Sequence, residues 1–110
     1  MNYNVIPTNK FIKEAKRLIR KYPSLKSELA ELDKTLAENP TTGTPLGNDA
    51  YKIRLAIKSK GKGKSGGGRI ITYIFTANKE VYLLTIYDKA EFDTIDDKTL
   101  KTIISNLKIK

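Results

Sequence analysis

Residues 51–87 read YKIRLAIKSKGKGKSGGGRIITYIFTANKEVYLLTIY. Within residues 51–57, Tyr51, Ile53, Leu55 and Ile57 alternate with Lys52, Arg54 and Ala56. That period of two puts the first set on the core face of a strand and the second on the opposite face. Residues 70–75 and 81–87, rich in Ile, Tyr, Val and Leu, predict two further strands joined by the turn Thr76-Ala77-Asn78-Lys79-Glu80. Residues 59–68 are all Gly, Lys or Ser, too charged for a core, and read as a mobile hairpin loop. Three strands in succession with short connections imply an antiparallel sheet.

The same stretch holds nearly all of the chain's formal net charge of +9. Between Ala50 and Lys79 stand Lys52, Arg54, Lys58, Lys60, Lys62, Lys64, Arg69 and Lys79, with no acid among them. A cationic strand face is often ordinary solvated surface, and lysines in a Gly-rich loop can serve solubility alone. Here strand, loop and next strand all add one sign. That convergence points to a polyanionic partner, nucleic acid ahead of an acidic protein.

On the N-terminal side, residues 2–7 (NYNVIP) predict a brief edge strand ended by Pro7. Thr8 or Asn9 caps a helix whose Phe11, Ile12, Ala15, Leu18, Ile19 and Tyr22 recur at spacings of three and four. Tyr22-Pro23-Ser24 breaks it, with Ser24 as cap of a second helix striped by Leu25, Leu29, Leu32 and Leu36. Asn39-Pro40 stops that helix, and residues 41–49 (TTGTPLGND) form a turn-rich connector. On the C-terminal side, Asp93 or Asp96 starts a helix with Leu100, Ile103, Ile104 and Leu107 on one side and Lys108 in its last turn. The expected fold class is α+β: a small antiparallel sheet, element order β-α-α-β-β-β-α, with a helical hairpin packed on one face. One domain, residues 1–110, is expected from the length.

Composition narrows the chemistry. Without cysteine there is no disulfide, thiolate metal site or cysteine nucleophile. Without histidine, the usual acid/base at neutral pH and the commonest metal ligand are missing, so catalysis falls to Lys, Arg, Tyr, Asp, Glu or hydroxyl groups. No metal and no cofactor is expected. No charged-then-apolar leader and no apolar run of about 18 residues is present, so a cytosolic, cytoplasmic protein is expected.

Two phosphate-binding patterns match only on paper. Gly61-Lys62-Gly63-Lys64-Ser65-Gly66 spells the dinucleotide fingerprint, but that motif must open a helix and here a strand follows. Gly63-Lys64-Ser65 resembles the end of a P-loop, whose first glycine would fall on Lys58.

Leu46-Gly47, Tyr51-Lys52-Ile53-Arg54, the run from Gly61 through Arg69-Ile70-Ile71, and Tyr82-Leu83-Leu84-Thr85-Ile86-Tyr87-Asp88-Lys89-Ala90-Glu91, taken in this order, resemble the RelE/ParE superfamily of type II toxins, especially its HigB-like branch. The similarity is densest over residues 46–91. It implies a RelE-like fold and a toxin that enters the ribosomal A site, cleaves translated mRNA and inhibits translation. It also implies a cognate antitoxin, encoded adjacently, that holds the toxin inactive. Carried over residue by residue, the implied catalytic set is Lys52 and Arg54 on the first central strand, Arg69 entering the next, and Tyr87 and Lys89 at the end of the last. Lys58, Lys60, Lys62 and Lys64 are the expected RNA- and ribosome-binding cations.

The chemistry itself can be reasoned from the residues. RNA cleavage by its own 2′-hydroxyl needs a proton acceptor, a proton donor to the leaving 5′-oxygen and cations for the charge that builds on phosphorus. Arg54 and Arg69 suit the last task, because a guanidinium grips two phosphate oxygens and stays charged. Lys52 or Lys89 can exchange the proton if crowding among cations lowers its pKa from about 10.4. Tyr87 can stack on a base or act as the acid. Two other classes compete: a ParE-like, non-nuclease toxin that poisons DNA gyrase, and a plain RNA-binding module. The full basic and tyrosine set favours the nuclease over the first, and the scarcity of aromatics on the basic strand disfavours the second.

Overall fold

The alternating strands assemble as the centre of a five-stranded sheet. The computed structural model describes residues 2–61, 63–91 and 95–107 and, at position 64, the backbone alone. Lys62, Asp93, Lys108 and the side chain of Lys64, all named above, lie outside the described residues. The elements are β1 (Asn4–Pro7), α1 (Asn9–Lys21), α2 (Leu25–Glu38), β2 (Thr44–Gly47), β3 (Ala50–Leu55), β4 (Gly68–Phe75), β5 (Glu80–Asp88) and α3 (Asp97–Ser105). Strand order across the sheet is β1-β5-β4-β3-β2. The β2/β3, β3/β4 and β4/β5 pairs are antiparallel, and β1 joins β5 in parallel, so the α+β architecture stands with one parallel edge.

The expected connector at residues 41–49 hides β2. Asn48 and Asp49 both take positive φ (54° and 61°), the backbone twist that closes a tight hairpin, and Asn and Asp tolerate it better than other side-chain-bearing residues. Pro45 sits in this edge strand, where a missing N–H costs least.

Both helices of the hairpin pack as their stripes require. Phe11, Ala15 and Leu18 of α1 and Leu25, Leu32 and Leu36 of α2 are buried with Ile53, Ile57, Ile70, Ile74, Val81, Leu83 and Ile86 in one core. Ile12, counted in the stripe, faces outward at 36% exposure. Thr8 caps α1, its hydroxyl oxygen accepting from the Phe11 N–H (3.2 Å), and Asp96 caps α3 by accepting from the Thr99 N–H (2.8 Å).

The second sheet face is not left to solvent. Ala50, Ile71, Leu84 and Tyr87 form a smaller cluster under Leu100 of α3. A bulge makes this possible. Ile71 pairs with Thr85 and Thr72 with Leu83, so Leu84 is one residue too many on β5. The extra residue resets the alternation: Val81, Leu83 and Ile86 face α1 and α2, while Leu84 and Tyr87 face α3. Without it, Tyr87 would share the face of Val81 and Leu83.

Candidate functional site

Register brings the predicted residues into a row. Arg54 of β3 stands opposite Arg69 of β4, and Arg69 opposite Tyr87 of β5. Directly opposed residues share a sheet face, so the three line up across the central strands on the side that carries α3. Lys52 lies two residues before Arg54 on that same face, opposite Ile71. Arg54 is exposed and Lys52 half-buried. Lys89 follows the end of β5, half-buried, and its backbone N–H donates to Gly67 O (3.0 Å).

Burial divides this row. Arg69 and Tyr87 are each only 2% exposed. Both stand near strand ends, as the resemblance implies, yet neither side chain is open to solvent, so neither is a surface contact for a ligand. Tyr87 packs in the cluster under Leu100, and the Arg69 guanidinium turns into the loop, donating from Nη1 to Gly68 O (3.1 Å) and from Nη2 to Ser65 O (3.3 Å). The exposed cationic surface of the row is therefore Arg54 with Lys52, and Arg69 supplies charge from behind it.

The described parts of the Gly/Lys loop, which the sequence reads as a mobile hairpin, are bonded to α2 and to the end of β5. The loop's first part is a short 3-10 turn at Lys58–Lys60 gripped by the start of α2. The Glu28 carboxylate accepts the Lys58 N–H (2.8 Å), the Ser24 hydroxyl accepts the Ser59 N–H (2.8 Å), and the Ser59 hydroxyl accepts the Ser24 N–H (3.1 Å). Ser24, expected to cap α2, makes no side-chain capping bond and spends its hydroxyl on the loop instead. A second 3-10 turn spans Lys64–Gly66 and leads straight into β4, so no helix follows the glycines and neither phosphate motif is formed. Gly67 is required there: a Cβ would lie 2.0 Å from Leu55 O.

Lys58 and Lys60 diverge. Lys58 is exposed, free to meet a phosphate in its side chain. Lys60 points inward, its ammonium paired with the carboxylate of Asp88 and donating to Gly66 O (2.7 Å). Asp88 also accepts from the Ala90 N–H (2.9 Å) and the Tyr22 hydroxyl (2.9 Å). Burial by itself raises the Asp88 carboxyl, but the hydrogen bonds from Lys60, Ala90 and Tyr22 and the Lys60 charge outweigh it and hold the group below the usual carboxylate range.

Sequence reasoning gave no part in the site to Asp88, Tyr22, Ser24, Glu28 or Glu14. Glu14 had a signal: it falls three residues after Phe11 and four before Leu18, on the buried stripe. Its carboxylate accepts from the Thr85 hydroxyl (2.6 Å) and the Ile86 N–H (3.3 Å), covering the edge of β5 that β1 does not reach. At the opposite side of the sheet, β2 pairs only as far as Lys52, and the uncovered end of β3 opens a groove bordered by Arg54, Leu55 and Lys58 and by Glu28 and Glu31 of α2.

No family model matches the chain. Among solved structures, the chain is similar to the toxin RelE of E. coli, determined in the free state as a double arginine-to-alanine mutant. The likeness has a TM-score of 0.66 at 16% identity and covers 97% of this chain and 99% of that one. Among the described residues, no helix is long and apolar enough to cross a membrane. The fold of this chain is RelE-like.

Proposed function

We propose that this chain is the toxin of a type II toxin–antitoxin pair, of the HigB-like branch, and that it cleaves translated mRNA on the ribosome. One observation carries the reading: Arg54, Arg69 and Tyr87 stand in a single cross-strand row with Lys52 beside it, on a RelE-like fold. The row supplies what RNA cleavage needs and a plain scaffold does not, since like charges opposed across a sheet weaken it. Residues 1–110 act as one such domain, in the cytoplasm, with no metal and no cofactor.

In this reading the scissile phosphate lies over Lys52 and Arg54. The 2′-oxygen attacks phosphorus, the bond to the 5′-oxygen breaks, and the proton of the 2′-hydroxyl leaves to Lys52 or Lys89 acting as base. The departing 5′-oxygen takes up a proton from the other lysine, while Tyr87 supports the row from its buried position. Arg54 contacts the phosphoryl oxygens, and Arg69 adds its field from a buried position, where a charge acts with less screening than in water. Lys58 supplies a phosphate contact at the rim. No histidine is available, so the ribosome and the mRNA it holds complete the ordering of the reactants.

The antitoxin is a small protein with acidic segments that cover the Lys52/Arg54 surface. Opposite charge speeds their encounter and makes its rate fall with salt. The test is a reconstituted translation reaction: added protein should stop synthesis and break the mRNA at codon-registered positions. Intact mRNA together with inhibited DNA supercoiling would replace this reading with gyrase poisoning.

A further inference from the structure

Lys60 reads in the sequence as one more loop cation, yet its side chain is 11% exposed and that of its partner Asp88 3%. A buried ion pair holds only when its remaining hydrogen-bonding capacity is satisfied. Here it is: Lys60 Nζ bonds Asp88 and Gly66 O, and Asp88 takes in addition the Ala90 N–H and the Tyr22 hydroxyl. The Lys60 ammonium also stands 5.9 Å from the centre of the Tyr22 ring. Three distant parts of the chain, the end of α1, the loop and the end of β5, meet at this point.

What the cluster holds is the backbone that holds Arg69. Gly66 O accepts from Lys60; its neighbours Ser65 O and Gly68 O accept from the two terminal nitrogens of Arg69; Gly67 O accepts from the Lys89 N–H. Gly67 is pressed against Leu55 O, where no side chain fits. Every carbonyl from Ser65 to Gly68 is thus engaged by Lys60, Arg69 or Lys89. A guanidinium has a fixed fork, so the carbonyls that receive it set its direction.

We propose that Lys60, Asp88 and Tyr22 form a clasp that positions Arg69, and that Lys60 is a positioning residue rather than an RNA contact. The proposal rests on the reading of Arg69 as part of the cleavage site. Releasing the clasp lets the segment from Ser65 to Gly68 shift and carries the guanidinium off its mark. Displacements of about 1 Å at a reacting centre cost on the order of 10²-fold in rate.

The test uses Lys60→Met, Asp88→Asn and the double variant in single-turnover cleavage of ribosome-bound mRNA. Each single change should lower the maximal rate roughly 10- to 100-fold. The half-saturating ribosome concentration and its salt dependence should stay at the wild-type values, and the double variant should be no slower than the slower single. A Lys60→Met that cleaves at the wild-type maximal rate but binds more weakly with a flatter salt slope overturns the proposal, because that is the signature of a phosphate contact. So does a double variant in which the two losses multiply. Tyr22→Phe, which removes one hydroxyl only, keeps the test decisive if a charge variant fails to fold, and it should lower the maximal rate in the same direction. A second readout is independent of cleavage: the side-chain Nε–H resonance of Arg69 in 15N-labelled free protein, identified by its loss in Arg69→Lys. It should shift or broaden in Lys60→Met and Tyr22→Phe, and an unmoved resonance overturns the clasp. If wild-type protein breaks no mRNA, the nuclease reading fails while the resonance still decides on the clasp.

Discussion

Arg54 and Arg69 face each other directly across the β3/β4 pair, one exposed and the other 2% exposed. Among the described residues, Arg54 has no ion-pair partner. Like charges in that relation destabilise a sheet by about 0.2–1 kcal/mol, and Arg adds nothing to strand propensity in return. Arg54→Thr should therefore raise the free energy of urea unfolding by a few tenths of a kcal/mol to about 1 kcal/mol. The same variant should cleave mRNA about 10²- to 10³-fold more slowly. Unfolding curves and cleavage rates measured on one preparation check both signs. A variant that loses stability shows that Arg54 is structural.

Tyr87 gives the opposite pattern. Buried in the cluster under Leu100, it supports the α3 side of the sheet. Tyr87→Ala should cost about 3–5 kcal/mol, as expected when a buried aromatic is removed from a packed site. Tyr87→Phe keeps the ring and should stay within about 1 kcal/mol of wild type. Only the Phe variant can report on the hydroxyl in catalysis, and thermal melts of the pair establish that before any rate is compared.

The Asp88 cluster contributes to the stability of the fold against acid. A carboxyl held below its ordinary value in the folded state contributes stability that is complete above the unfolded pKa of about 3.9 and is lost as pH falls through the lower folded value. Asp88→Asn should thus be less stable than wild type at neutral pH, by about 3 kcal/mol because Lys60 is left buried without its partner charge. Below about pH 4 the gap should narrow as wild type loses its own advantage. Urea unfolding of both proteins at a series of pH values gives the curve. A gap that widens toward acid contradicts the assignment.

Lys58 tests the binding surface. It is exposed, and its backbone, not its ammonium, is what α2 holds. Lys58→Ala should weaken ribosome or RNA association and lower the slope of log affinity against log salt by about 0.7–0.9, the loss of one phosphate contact. The maximal cleavage rate should not change. Titrations at several salt concentrations measure the slope.

Much of this was legible in the sequence because its signals were local. The period of two at residues 51–57 gave β3 and its cationic face, and the leucines of α2 gave the buried stripe. The row itself depends on register, which a bulge at Leu84 decides, and VYLLTIY shows only a doubled leucine where the alternation slips. The edge strand β2 was hidden by Pro45 and Gly47, which read as turn residues. The clasp was out of reach for another reason. Lys60 and Asp88 are 28 residues apart, and nothing local distinguishes a lysine that folds inward from the solvated ones around it. Ser24 misled because the residue types that cap helices also bond to loops, and the loop won.

The central claim is that the exposed part of the row performs the cleavage, and single-turnover cleavage of mRNA at saturating ribosome tests it most directly. Wild type should break the mRNA in the codon frame, and Arg54→Thr, folded and bound to the ribosome as tightly, should do so about 10²- to 10³-fold more slowly. Cleavage by Arg54→Thr at the wild-type rate would contradict the account, whatever the fold.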